Sequence, residues 1–270
     1  MLHYLLKQIP SYRIRATLPS PDTLSELVIW LRGDGAENTG DGTPATDWLS
    51  LDEIYTFSPP VTANEPTYYG SGNNSRPTVS FTTDDYVQNL NQFFLSIGGT
   101  ICIVFKVDGA GTYTLMSQND ISAVHRQFAV RVVGGYLNII QKNFDVELSL
   151  TGSTALGTGW HLVTIHSNGT GILDRGLGAR PGGSHPGGGS NVFIERLSAR
   201  IDGSAEALTE SGGSGWFGTP TSNKMYVGAT ISTTSNHLAG DIQHVIVFTP
   251  RLTTTQETLV ETYLNRYSGL

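Results

Sequence analysis

The chain has 270 residues, of which only 14% are charged, and its formal net charge is −7. Its lysines are scattered, which suits neither nucleic acid nor an anionic membrane, because both require clustered positive charge. No apolar run reaches the roughly 18 residues that a membrane-spanning helix needs, and the single cysteine excludes an internal disulfide.

Residues 1–24 are predicted to form an N-terminal arm. Pro10, Pro19 and Pro21 interrupt any helix, and residues 12–15 alternate Tyr, Arg, Ile and Arg as an edge strand would. Such an arm is expected to tie down a neighbouring copy or the domain's own edge, and a disordered tail is the alternative. The first residues do not resemble a secretory signal, which favours a protein made in a cytoplasm.

From Leu27 onward, short strand-like runs alternate with turn residues. Strands are predicted near residues 27–32, 78–82, 86–88, 100–107, 112–117, 127–133, 136–142, 146–150, 160–167, 192–201, 224–229 and 241–248. Gly134-Gly135 lies between two such runs and predicts a two-residue hairpin. Many short strands with regular turns predict an antiparallel β-sandwich over residues 25–270. The glycine-rich segment 176–190 is expected to project from it as a loop.

One helix is predicted at the end of the chain. Apolar residues fall at helical spacing at five positions: Leu259, Val260, Tyr263, Leu264 and Tyr267. Thr253 with Gln256, or Thr254 with Glu257, fits a capping box, and Gly269 follows the last turn. The helix is expected to begin near Thr254 and to pack its apolar stripe on the sandwich.

The order of several motifs resembles laminin-G-like domains of the concanavalin A-like lectin superfamily. The matching segments, over roughly residues 27–267, are FTTDDYV (81–87), TICIVF (100–105), GWHLVTIHSN (159–168), RIDG (200–203), MYVG (225–228) and AGDIQHVIVFTPRLTTTQETLVETYLNRY (239–267). The resemblance implies an all-β, antiparallel jelly-roll sandwich with a short C-terminal helix.

The same motifs single out residues with a structural role. Trp160 is expected to be a large buried anchor that shares a strand face with Leu162. Asp202-Gly203 is a tight-turn dipeptide. Gly228 and Gly240 are expected at bends or at close approaches between the sheets.

A calcium site is one interpretation of the segment from Arg32 to Asp47, and a solvated acidic loop is the other. The segment contains Asp34, Glu37 and Asp41, and calcium prefers several carboxylate and carbonyl oxygens in a flexible loop. Laminin-G-like domains often hold such an ion. Asp84-Asp85 is a weaker second candidate, and no other cofactor is expected.

Two aromatic residues in turn-rich segments, Tyr69 and Trp216, are the candidate ligand-binding residues. Exposed rings beside glycine suit sugars or partner chains. The alternative is that the two rings pin loops onto the sandwich.

The sequence does not favour an enzyme. Asp145-Val146-Glu147 lacks the third acid of the related glucanases, which place paired carboxylates on one strand. His161 and His166 are five residues apart in a strand, so they face opposite sides and cannot share a metal. Cys102 lies in an apolar run and is expected to be a buried thiol.

The resemblance therefore leads to a non-enzymatic binding or structural protein. The leading hypothesis is a virion component, a phage capsid decoration or tail-associated protein that contacts other virion proteins or copies of itself as a homo-oligomer. The alternative is a carbohydrate-binding lectin module or surface adhesin, acting outside the cell or at its surface on a cell-surface glycan. A glycoside hydrolase is the least favoured hypothesis.

Overall fold

The computed structural model describes residues 19–89, 99–120, 126–143, 146–167, 197–212, 223–230 and 236–270. The first strands in these ranges are β1 (Leu27–Glu37), β2 (Thr43–Pro44), β3 (Asp47–Ser50), β4 (Thr56–Phe57), β5 (Thr67–Asn73), β6 (Arg76–Phe81), β7 (Val87–Asn89), β8 (Gly99–Val107) and β9 (Thr112–Asp120). They are followed by β10 (Arg126–Val133), β11 (Tyr136–Asn143), β12 (Val146–Ala155), β13 (Trp160–Ser167), β14 (Leu197–Ile201), β15 (Ser204–Glu206), β16 (Leu208–Gly212), β17 (Asn223–Val227) and β18 (Gly240–Phe248). Short 3-10 turns occupy Pro21–Thr23 and Thr62–Asn64, and one α-helix, α1, spans Thr254–Ser268.

The strands form two antiparallel sheets. The larger sheet has the order β15-β14-β13-β8-β18-β1-β3-β4, with β6 also pairing with β18 and with β5, and β5 pairing with β2. The smaller sheet has the order β16-β12-β11-β10-β9-β17-β7. The predicted antiparallel sandwich with a C-terminal helix is confirmed.

The central strands of the larger sheet are buried on both faces. In β8, Ile103 and Phe105 join the core between the sheets, whereas Cys102 and Val104 face the opposite side. Successive residues of a strand point to opposite faces, so a strand that is covered on both sides reads as a continuous apolar run. Burial raises the pKa of the Cys102 thiol, as expected for an inert core cysteine.

Helix α1 covers the outer face of the larger sheet. The predicted capping box is present between Thr253 and Gln256, and Gly269 ends the helix with a φ of 73°. Val260 and Leu264 are buried against Leu162 and neighbouring apolar residues. The predicted start and the packing of the helix on the sandwich are both confirmed.

The buried face of α1 also contains two acids that the apolar stripe did not predict. Glu257 lies 2.8 Å from His166 Nδ1, and Glu261 lies 3.1 Å from Arg200 Nε. Burial raises the pKa of Glu257 and lowers that of His166. His166 and Arg200 on the outer sheet face are therefore the polar partners that lower the free-energy cost of burying these acids.

The predicted glycine turns lie where the strands reverse or cross. Gly134 and Gly135 have φ values of 59° and 85° between β10 and β11. Asp202 and Gly203, at 52° and 79°, join β14 to β15. A side chain at Gly240 would come within 2.1 Å of the Lys106 carbonyl oxygen.

Four expectations need correction or fall, wholly or in part, outside the described residues. Trp160 is only partly buried at the edge of the cluster under α1, because it begins its strand. Among the tryptophans in the described ranges, Trp30 and Trp48 are the buried ones. The segment from Arg32 is not wholly a loop, since β1 extends to Glu37. Of the arm, residues 1–18 are outside the described ranges, as is the glycine-rich segment. Pro21 is buried on the domain.

Candidate functional site

An ion pair lies on the outer face of β1. Trp30, Arg32 and Asp34 alternate with core residues, and the Arg32 guanidinium carbon sits 5.4 Å from the centre of the Trp30 ring. Arg32 Nε donates to Asp34 Oδ1 over 2.9 Å, and its Nη2 donates to the second carboxylate oxygen. Burial of the guanidinium opposes its charge, but the Asp34 carboxylate raises the pKa of Arg32 above its ordinary value.

An open cleft of about 330 Å³ lies beside this ion pair. Its walls come from β1, from β3 and from the turn that follows β3. The lining residues are Trp30, Arg32, Asp34, Gly35, Ala36, Glu37, Leu49, Ser50, Leu51 and Glu53. Leu51 exposes 41% of its surface at the rim. The cleft therefore combines a cation, several carboxylates and an exposed apolar side chain.

The end of α1 extends this surface. The Tyr267 ring lies 6.0 Å from the Arg32 guanidinium carbon and 4.6 Å from that of Arg76. It also stacks with Tyr263 at an interplanar angle of 19° and meets the buried His244 ring edge-on. We call Arg32, Asp34, Arg76 and Tyr267, together with the cleft, the Arg–Tyr surface.

Tyr68 of β5 borders the Arg–Tyr surface. Burial raises the pKa of Tyr68, and the negative charges of Asp34 and Asp41 add to this effect. Asp41 Oδ1 accepts a hydrogen bond of 2.6 Å from the Gly70 amide. The surroundings of Tyr68 are therefore acidic, and the Gly70 amide holds Asp41 in place.

The predicted calcium residues do not form a cluster. Asp34 is paired with Arg32 and Asp41 with the Gly70 amide, whereas Glu37 lies at the end of β1 in the cleft wall. Among the residues that the structure describes, no group of three or more His, Cys, Asp or Glu could hold a metal ion. Calcium binding remains a prediction without a preformed site in these ranges.

The other predicted residues are dispersed. Tyr69 is 42% exposed but lies in β5 rather than in a turn, and it does not line the cleft. Trp216 lies outside the described residues. Asp85 is buried and accepts from the Thr82 amide over 2.7 Å, so it stabilises a turn. Arg76 and Tyr267 were not predicted as site residues; Tyr267 was placed in the helix stripe, and Arg76 carries no sequence signal.

The histidine and acid pairs of the domain are structural. His161 Nδ1 lies 2.9 Å from Asp202 Oδ2, and Asp202 Oδ1 accepts from the Leu162 amide over 2.8 Å. His166 contacts Glu257 on the outer sheet face. These contacts link a turn and a helix to β13, and neither borders the cleft.

No family profile and no curated protein sequence matches this chain. Solved structures do match. The binding domain of botulinum neurotoxin DC in complex with SialylT has a TM-score of 0.50 at 11% identity, covering 89% of this chain and 52% of that chain. This chain shares its β-sandwich fold. A structure of botulinum neurotoxin type C, a toxin whose cell entry depends upon interaction with two ganglioside molecules, has a TM-score of 0.48 at 13% identity. The match covers 88% of this chain and 51% of that chain.

A smaller domain matches as well. The CBM40 of a Ruminococcus gnavus IT-sialidase, bound to α2,3 sialyllactose, has a TM-score of 0.43 at 14% identity and covers 61% of this chain and 81% of that domain. The match to the neurotoxin chains spans about half of their length. Within the described residues, no helix is long and apolar enough to cross a membrane.

Proposed function

We propose that this chain is a carbohydrate-binding domain and that the Arg–Tyr surface is its binding site. The observation that carries the proposal is the open cleft beside Arg32 and Asp34. Sugar hydroxyls both donate and accept hydrogen bonds, so they need charged or polar partners of both kinds. Their C–H faces need an apolar or aromatic neighbour. The cleft offers Arg32 as donor, carboxylates as acceptors and Leu51 as apolar contact.

The fold supports a glycan as the ligand class. The neurotoxin binding domain whose fold this chain shares was solved in complex with SialylT. A shared fold does not transfer a binding site, so the residues of the present cleft, rather than the neighbour's, carry the proposal. A glycan-binding role would suit an extracellular or cell-surface location.

The domain is proposed to bind without catalysing a reaction. Acid–base cleavage of a glycosidic bond needs a pair of carboxyl groups that flank it, and the sequence lacks the third acid of the carboxylate strand of the related glucanases. Incubation of the protein with the glycan that it binds should release no reducing sugar. The virion hypothesis stays a prediction of the sequence, and none of the neighbours named above is a virion protein.

Screening on an array of neutral and acidic glycans tests the proposed function. The best glycan should bind Asp34→Asn roughly tenfold more weakly, because a hydrogen bond to a charged group typically contributes about 1.5–3 kcal/mol. Leu51→Ser should also weaken binding through loss of the apolar contact. Asp22→Asn is the matched control, since Asp22 is an exposed acid on a 3-10 turn away from the cleft. An array without any bound glycan, or unchanged affinity in both site variants, would contradict the proposal.

A further inference from the structure

The two arginines of the Arg–Tyr surface differ in how their charge is used. Arg32 makes a two-point contact with the Asp34 carboxylate, so its positive charge is already matched. Arg76 has no carboxylate within salt-bridge distance among the described residues. In a chain of net charge −7, an exposed and unmatched arginine on a candidate binding surface is available to an anion.

The position of Arg76 is fixed by its surroundings. It follows the tight turn at Asn74 and Ser75, whose φ values are 47° and 56°. The Asn74 side-chain amide donates a hydrogen bond of 3.5 Å to the Tyr267 carbonyl oxygen. The Arg76 guanidinium rests 4.6 Å from the centre of the Tyr267 ring. Stacking on an aromatic face holds a guanidinium while leaving its N–H groups at the edge free to donate.

A purely structural role at the helix terminus would be the competing explanation, because a cation is favourable near a helix C-terminus. The last turn of α1 is already closed by backbone bonds from Gly269 and Leu270 to the Asn265 carbonyl oxygen, at 2.8 and 3.0 Å. Arg76 contacts the ring of Tyr267 rather than these carbonyl groups. Its donors are therefore not consumed by capping.

The two ends of the Arg–Tyr surface differ in charge. At the cleft end, Glu37 and Glu53 line the wall and would repel an anion, whereas the charge of Asp34 is matched by Arg32. At the other end, Arg76 lies over Tyr267. We infer that Arg76 forms an anion-binding subsite that selects glycans carrying an anionic substituent, with the neutral part of the glycan in the cleft. This inference rests on the proposed function and adds the ligand class and its orientation.

Calorimetric titration of lactose, sialyllactose and sulfated lactose tests this inference. Sialyllactose and sulfated lactose both carry an anionic group, a carboxylate in the first and a sulfate in the second. Their relative affinities show which of the two groups Arg76 binds. The wild-type protein should bind one of them about tenfold more tightly than lactose, the factor that a charge-assisted hydrogen bond typically supplies.

Arg76→Gln should abolish this preference, and Arg76→Lys should keep only part of it, because lysine retains the charge but not the planar fork. Arg266→Gln is the control, since Arg266 is an exposed arginine in the last turn of α1, the helix that contains Tyr267. Melting curves of the variants identify any loss of fold. Equal affinity for lactose and both acidic forms, or a preference that persists in folded Arg76→Gln, would overturn the inference while leaving the proposed function intact. Absence of binding to all three sugars would overturn the inference, whereas the proposed function is decided separately by the glycan array.

Discussion

Gly228 lies at a close approach inside the sandwich. Its φ is 88°, and a Cβ atom there would come within 2.6 Å of the Phe81 ring and 3.2 Å of the Asp85 carbonyl oxygen. Gly228→Ala should therefore lower the free energy of unfolding by about 2–4 kcal/mol, through backbone strain and overpacking. Urea unfolding measures this change. Gly109→Ala is the control, because its added Cβ meets no atom within 4 Å, and equal stability of the two variants would contradict the packing.

The His161–Asp202 pair should stabilise the protein within a limited pH window. The hydrogen bond to Asp202 raises the pKa of His161 above its ordinary 6.5. Burial tends to raise the pKa of Asp202, but bonds from His161 and Leu162 lower it below 3.8. The histidine contribution is complete below pH 6.5 and is lost as the pH rises through the native pKa. The aspartate contribution is complete above pH 3.8 and is lost as the pH falls through the native pKa.

His161→Gln should therefore cost most stability between pH 4 and 6 and less at pH 8.5. The cost should be about 1 kcal/mol or less, because the Asp202 side chain is 44% exposed. Urea unfolding of both proteins at pH 5 and pH 8.5 measures it. A cost that does not change with pH would show that the pair is not charged.

The turn at Asp202 is predictable from the sequence, whereas the contact of Asp202 with His161 is not. The Asp-Gly dipeptide is a local signal, because a tight turn is decided by adjacent residues. The contact with His161 spans 41 positions, and its existence depends on the register between β13 and β14. A single sequence contains no local signal for such a pairing.

At the scale of elements, α1 shows what an apolar stripe predicts and what it misses. The stripe and the capping residues locate the helix, because both are local properties of the chain. Burial of Glu257 and Glu261 depends on His166 and Arg200, which project from distant strands. The apolar periodicity does not include these acids, and their partners only come close once the sheet is assembled.

Packing of α1 on the sheet can be tested at Leu264. This side chain is fully buried among the residues under the helix, so Leu264→Ala should cost about 2–5 kcal/mol. Leu259→Ala is the matched control, since Leu259 is only partly buried, and it should cost clearly less. The same loss of stability in both variants, measured by urea unfolding, would mean that the helix packs through a different face.

The segment after Arg32 was predicted as a loop because it is rich in glycine and acids. In the structure, Gly33 lies against β6 so closely that a Cβ atom would come within 2.1 Å of the Pro77 carbonyl oxygen. Glycine here permits two strands to cross rather than marking a loop. Arg32 and Asp34 are two residues apart in β1 and so lie on the same face of the strand, which accounts for the ion pair of the Arg–Tyr surface.

At the scale of the whole molecule, the fold was predictable and the candidate site was not. The fold follows from the order of short strand motifs, each of which is visible locally. The site joins Arg32 of β1, Arg76 of β6 and Tyr267 of α1, residues that meet only through the sheet order. The prediction of Tyr69 and Trp216 as ligand-binding residues rests on aromatic character and neighbouring glycines, and neither property indicates which residues lie close together in the fold.

The predicted homo-oligomer depends on the N-terminal arm, which is expected to contact a neighbouring copy. Deletion of residues 1–18 should leave the sandwich folded, because the deletion retains Pro21, which is buried, and Leu24, which packs under α1. If the arm joins copies, light scattering should show a smaller mass after the deletion and an unchanged melting temperature. An unchanged mass would remove the arm from assembly.

We propose above all that this β-sandwich binds a glycan on the Arg–Tyr surface. A crystal structure of the protein with the best array glycan tests this claim most directly. We predict glycan density in contact with Arg32 and Asp34, with an anionic group of the glycan beside Arg76. Density at Tyr69 or Trp216, with the Arg–Tyr surface empty, would contradict the claim.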